Sequence, residues 1–177
     1  MSSASVTVTS MEISPMIVKY GTAGSEVDLG GTLGNVVISA KYHKAEIKAD
    51  QTGVTVRDRR VSGVEVSVTT ELAEILNKDI WKVVFPHATE TGSGTTGSFS
   101  FIQNTGDSDI ANAKSLILHP ESRISTDTSN DYTFYNAVAA AESSITYGPT
   151  EQSKLKIVWN ILGDSTVTPN KYFKFGT

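Results

Sequence analysis

The chain contains no cysteine, which excludes disulfide scaffolds, thiol nucleophiles and thiolate metal sites. No apolar run approaches the roughly 18 residues that a membrane-spanning helix needs, so membrane insertion is not expected. The first residues also lack a basic segment followed by an apolar one, the mark of a secretory signal. These absences predict a protein that is made and kept in a cytoplasm.

The charge balance also argues against a DNA-binding protein. Fifteen Lys and Arg stand against nineteen Asp and Glu, which gives a formal charge of −4 and an isoelectric point near 5.3. A protein that grips DNA through its phosphates needs the opposite sign. The length of 177 residues suits one domain, 1–177, with its own core.

The aliphatic residues present favour strands. The chain has 17 Val and 13 Ile against 8 Leu, and β-branched side chains suit a pleated sheet better than a helix. Alternation with a period of two is clear over 61–68 and 154–162, and it predicts buried faces made of Val64, Val66 and Val68 and of Leu155, Ile157, Trp159 and Ile161. Further strands are expected within 35–49, 98–102 and 113–119, and within 132–142, where a helix is the alternative.

One helix is predicted after these first strands. Leu72, Leu76 and Ile80 are spaced four apart, Thr70 is a suitable N-cap, and Pro86 sets the latest end. Residues 1–30 read as a partly extended N-terminal arm, and 89–98 as a long polar loop. The fold class expected is therefore mainly β, an antiparallel β-sandwich or barrel with one flanking α-helix.

The search for catalytic chemistry finds no motif. His43, His87 and His119 lack metal-binding spacing and read as surface or strand-end residues. Asp107 and Asp109 resemble the start of a calcium loop, but the later Gly and Glu are missing. No nucleophile elbow or phosphate-binding loop is present. We therefore expect no enzyme activity, no catalytic residue, no metal and no cofactor.

Several segments, taken in order, resemble the major tail tube proteins of long-tailed bacteriophages with non-contractile tails. The opening 17–38, punctuated by glycines, is similar to that family's entry into its first long strand. The most specific piece is 46–53 followed by 63–68 and 71–74, and the endings 153–162 and 173–176 are similar as well. The loop 89–98 has no counterpart in the family.

The resemblance implies a β-sandwich related to the tube protein of type VI secretion. It also implies a structural virion protein that self-assembles into stacked hexameric rings, assembled in the host cytoplasm and located in the phage tail. Its partners would be its own copies, the tape measure protein, and the tail terminator or tip proteins. DNA would pass through the lumen during ejection without specific binding.

Contacts between subunits or stacked rings are expected around the strand connection at 50–60. The residues concerned are Asp50, Gln51, Thr52, Arg57, Asp58, Arg59 and Arg60. For an isolated domain, the charged run 57–60 reads equally well as a solvated hairpin end. The alternative function is a carbohydrate- or ligand-binding β-sandwich module, or an adhesin, on a larger particle. Such a module would display aromatic side chains, whereas Trp81 and Trp159 both read as core residues.

Overall fold

The computed structural model describes residues 14–48, 55–85, 87–92, 97–101, 105–140, 143–166 and 170–177. The strands are β1 (Met16–Gly21), β2 (Val27–Gly31), β3 (Val37–Lys48), β4 (Val56–Leu72), β5 (Ala88–Thr91), β6 (Ser98–Phe101), β7 (Lys114–Pro120), β8 (Tyr132–Ala139), β9 (Ser144–Thr146), β10 (Lys154–Leu162) and β11 (Phe173–Phe175); the helices are α1 (Lys78–Val84) and α2 (Asp109–Asn112). Neither described helix has the length and apolarity to cross a membrane.

Nine strands form one sheet. Its main path runs β2-β1-β7-β8-β10-β4-β3, while β11 pairs with β8 and β9 pairs with β10. All of these pairings are antiparallel. The remaining strands, β5 and β6, form a separate hairpin. The architecture is mainly β and sandwich-like, as the sequence predicted, and over the described residues the sheet does not close into a barrel.

The sheet curls so that its two halves enclose the core. Tyr20 on β1 and Trp159 on β10 are separated by two strands in the sheet order, yet their ring centroids are 4.6 Å apart. The Tyr20 hydroxyl donates to the carbonyl of Ala137 at 3.0 Å, and the Trp159 indole donates to Oγ1 of Thr70 at 2.9 Å. These two aromatic residues therefore hold opposite walls together while their polar atoms remain paired.

The curl is fixed at one corner by backbone pairing. Leu33 N–H donates to the carbonyl of Glu71 at 2.8 Å, and Ala73 N–H donates to the carbonyl of Gly31 at 3.1 Å. The end of β2 thus continues alongside the end of β4, which belongs to the opposite half of the sheet. This corner joins the two halves and leads directly into β3.

Burial raises the pKa of Tyr20 to about 12, because the charged phenolate is poorly solvated in the core. Because the folded-state pKa lies above the unfolded value, the buried neutral Tyr20 contributes fully to the free energy of unfolding below about pH 10. This contribution is lost as the pH rises from about 10 to about 12.

The alternation patterns are confirmed. Val66 and Val68 are buried and Val64 is half-buried on one face of β4, and the four apolar residues of β10 are all buried. The segment at 132 is strand, because Phe134 and Ala137 face the core and β7 and β10 pair with either side. Helical propensity in this segment is outweighed by sheet pairing.

The helix predicted over 70–81 is wrong for 70–77. Thr70 and Leu72 belong to β4, where they pair with Ile157 and Leu155 of β10, and only 78–84 is helical. Leu76, which the helical spacing placed on the buried face, is 85% exposed. The period of four was outweighed by long-range pairing with a strand more than eighty residues later in the chain.

Two assignments of irregular structure also need correction. The stretch 16–31 is not an arm, because Val18, Tyr20 and Leu29 on β1 and β2 are core residues; residues 1–13 lie outside the described range. The predicted loop 89–98 includes strand residues at both ends, since β5 pairs with β6 from Ala88 to Phe101. Ser alternates with Phe99 and Phe101 in β6, and the β-branched Thr89 and Thr91 of β5 also suit a strand despite their polarity.

The Trp159–Thr70 hydrogen bond offers a test of this core. Thr70→Val keeps the β-branched shape but leaves the buried indole N–H without its acceptor, so we expect a loss of about 1–3 kcal/mol in the free energy of unfolding. Thr69→Val, on the other face of β4, should change it by less than about 0.5 kcal/mol. Urea denaturation measures both, and equal effects would show that the hydrogen bond is unimportant.

Candidate self-association surface

The end of the β3–β4 hairpin extends beyond the core. We call Lys41–Lys48 together with Val56–Glu65 the ribbon. It contains no buried residue, whereas Val66 and Val68, which follow on β4, are in the core. Eight strand residues span about 25 Å, so the ribbon is a long projection for a domain of this size.

The sequence explains why the ribbon leaves the core. Beyond Val64 the core-side face carries charged side chains, Arg59 on β4 and Lys44, Glu46 and Lys48 on β3, among the apolar Val61 and Val56. Two register shifts, one between His43 and Lys44 and one between Ile47 and Lys48, also interrupt the pairing of β3 with β4. Bulges increase local twist and bend a strand, so they turn the ribbon away from a flat continuation of the sheet.

Ion pairs fix the two faces of the ribbon. Glu46 accepts from Lys48 and Arg59, both at 3.2 Å, on the face that continues the core side of the sheet. On the opposite face His43 lies 3.3 Å from Glu65. The hydrogen bond and charge of Lys48, aided by Arg59, lower the pKa of Glu46 below its ordinary value.

Three exposed large apolar side chains lie among these charges: Tyr42, Val61 and, on the opposite face, Ile47. Tyr42 is 61% exposed and Val61 is 57% exposed. By strand register both are on the core-side face, in the same rows as the buried residues of β4. Tyr42 continues the period-two phase of Ile38 and Ala40, a signal that the site prediction missed. Val61 is out of phase with Val64 and reaches this face only because the register shift skips Ser62.

The predicted contact residues fall into two groups. Asp50, Gln51 and Thr52 lie outside the described residues. The structure places 57–60 on β4 within the ribbon, where Arg59 pairs with Glu46 and Arg60 lies 3.5 Å from Asp58. Arg57 has no ion pair with any residue that the structure describes. The run is strand rather than a turn between strands, because Asp58, Arg59 and Arg60 pair with β3. Arg57 is the bulge residue between Asp58 and Val56.

A separate cavity of about 580 Å³ lies on the body of the domain. Trp81 and Phe85 of α1 line it, together with His87, Asp109, Ala139, Ala140, Ser143, Ile145, Leu155 and Asn160. Trp81 is therefore not a fully buried core residue, whereas Trp159 is. The placement of Trp81 leaves an aromatic side chain accessible to a small ligand.

The histidines are placed differently from one another. His43 is on the ribbon, His87 pairs with Asp107 at 3.3 Å, and His119 is buried with its Nδ1 2.7 Å from Asp131. His119 lies at the end of β7, as a strand-end histidine was expected to, but it is buried, and Asp131 supplies the partner that burial requires. Over the described ranges, no cluster of three or more His, Cys, Asp or Glu is arranged to hold a metal ion.

Similarity to known proteins is found among solved structures. No protein-family model matches the chain, and no curated protein matches it. Among solved structures, it is similar to a chain of the tail of an empty GTA particle determined with C6 symmetry. The likeness covers 92% of this chain and 96% of the other, at 9% sequence identity and a TM-score of 0.47.

The pKa of Glu46 tests the arrangement of charges on the ribbon. Carbon-13 NMR titration should find that pKa below 4.5. Lys48→Gln should raise it more than Arg59→Gln does, because Lys48 is the larger cause of the lowering. The ion pairs form above the lowered pKa and are lost as the pH falls through it. An unshifted pKa in the unmodified protein would mean that Glu46 is solvated rather than paired.

Proposed function

We propose that this protein is a structural subunit of a non-contractile phage tail, where copies form hexameric rings that stack into the tail tube. The ribbon is the observation that carries the proposal. A two-stranded ribbon with no buried residue is marginally stable in water unless something packs against it. A second copy of the chain provides that cover in an assembly of many identical subunits.

The free edge of β3 supports the same proposal. β3 is the last strand of the sheet, and over its twelve residues its outer backbone groups pair with no described strand. A long edge of this kind is a template for pairing with another chain, and monomeric proteins usually shorten or cover it. A long unpaired edge is expected when another subunit covers the strand in an assembly.

In this proposal the tube is a passive conduit without enzymatic activity. Six copies, each with a formal charge of −4, give a ring a charge of −24. A lumen with an acidic excess repels the phosphate backbone, so DNA slides through without specific binding. The tape measure, terminator and tip proteins are the remaining partners, and the virion tail is the location after assembly in the host cytoplasm.

A second candidate function, a ligand-binding module such as a carbohydrate binder or adhesin, is favoured by the cavity beside Trp81. An aromatic ring next to His87, Asp109 and Asn160 combines a stacking surface with hydrogen-bonding groups. This function would be exercised by a monomer. A tryptophan fluorescence change with a simple sugar, lost in Trp81→Phe, would favour it.

Electron microscopy of the purified protein, with light scattering over a range of concentrations, tests the leading proposal. We expect rings or hollow tubes above a threshold concentration. Replacing Tyr42 and Val61 together with Ser should raise that threshold at least about 100-fold, because burial of each side chain contributes about 1.5–3 kcal/mol.

The matched control is Val37→Ser, which removes an exposed apolar side chain from the part of β3 outside the ribbon. Its threshold should stay close to that of the unmodified protein. A monomer at every concentration and salt condition would contradict the proposal of self-assembly. Rings that form equally well without Tyr42 and Val61 would remove the ribbon as its basis.

A further inference from the structure

Charge is segregated within the fold. The adjacent strands β3, β4 and β10, which we call the basic wall, carry eight Lys and Arg against four Asp and Glu, a net charge of +4. The rest of the chain has seven basic and fifteen acidic residues, a net charge of −8. The overall charge of −4 is therefore the sum of a positive set of three strands and a negative remainder of the chain.

The ribbon concentrates the positive charge. It holds six basic and three acidic residues. Its acids are already engaged, since Glu46, Asp58 and Glu65 all have partners within the ribbon. Lys41, Lys44 and Arg57 make no ion pair with the described residues. These three cations are thus available to an acidic surface outside the ribbon.

The polarity of the ribbon's core-side face agrees with docking on protein rather than on nucleic acid. Tyr42 and Val61 are exposed there beside Lys44. A DNA backbone offers phosphates for the lysine but no apolar surface for the valine. A protein surface that combines acidic and apolar groups satisfies all three side chains.

Charge also decides which contact two copies make. Apposing two ribbons would bring cations together, and apposing two acidic surfaces would bring anions together. Both of these like-charged contacts are unfavourable. A contact between the ribbon of one copy and the acidic part of another is favourable. The contact that remains is heterologous, and a heterologous contact forms rings when its rotation closes.

We propose that the core-side face of the ribbon docks on the acidic part of a second copy, outside that copy's basic wall, so that association is head-to-tail. This inference rests on the proposed self-assembly and deepens it. It assigns Tyr42 and Val61 to the centre of the contact and Lys44 and Arg57 to its charged margin. Like-charge repulsion excludes the symmetric ribbon-to-ribbon dimer.

Photo-crosslinking locates the surface on which the ribbon docks. Because the chain has no cysteine, Val61→Cys introduces a single thiol that a benzophenone maleimide can label. In assembled protein, mass spectrometry should find crosslinks from position 61 to peptides of another copy outside the basic wall. Ala45→Cys, on the opposite face of the ribbon, is the control and should crosslink less.

Charge reversal tests the electrostatic part. Lys44→Glu with Arg57→Glu should raise the assembly threshold about tenfold at low salt, and the difference should shrink at about 0.5 M NaCl. Lys19→Glu with Lys174→Glu is the matched control, since it changes the net charge by the same amount outside the basic wall. Its threshold should not rise.

The outcomes separate this inference from the proposed function. Assemblies whose crosslinks join ribbon to ribbon, or whose threshold responds equally to both double variants, would overturn head-to-tail docking and leave the tail subunit proposal intact. Failure of the unmodified protein to assemble under any salt condition would overturn the self-assembly on which both rest.

Discussion

The meeting of Tyr20 with Trp159 is the contact on which the rest of the fold depends. It brings β1 over β10, although two strands separate them in the sheet, and so it turns an open sheet into a two-sided enclosure. Both residues have polar atoms that must be satisfied when buried, and the carbonyl of Ala137 and the hydroxyl of Thr70 satisfy them. With that contact in place, the apolar rows of β4 and β10 have a surface to pack against.

The sequence predicted the parts of the fold that local periodicity controls. The alternation in β10 and in the inner half of β4 was sufficient, because each strand buries one face. Local periodicity gave the wrong result at 70–77, where helical spacing competes with pairing to β10. It also gave the wrong result at 16–31, where short apolar segments become part of the core only by pairing with β7. Partners so distant in the chain leave no local trace.

The candidate site shows the same division. The composition of the charged run 57–60 predicted a contact site, yet two of its arginines are paired within the ribbon. The exposed apolar residues, Tyr42 and Val61, were the less visible feature, because their exposure depends on where the core ends rather than on their neighbours in sequence. Periodicity assigns a residue to a face of a strand, but only the three-dimensional fold determines whether that face is covered.

The order in which the strands emerge during synthesis follows from these pairings. β3 and β4 are adjacent in the chain, so the hairpin can form early, whereas Trp159 pairs with Thr70 across 89 residues and Tyr20 with Ala137 across 117. Until β10 leaves the ribosome, both edges of the hairpin are unpaired and the valines of β4 lack their core. Nascent chains on one messenger are close together, and edges of this kind are prone to pair wrongly. The cations of the ribbon repel the same ribbon on a neighbouring nascent chain, which disfavours pairing of two hairpins before either domain is complete.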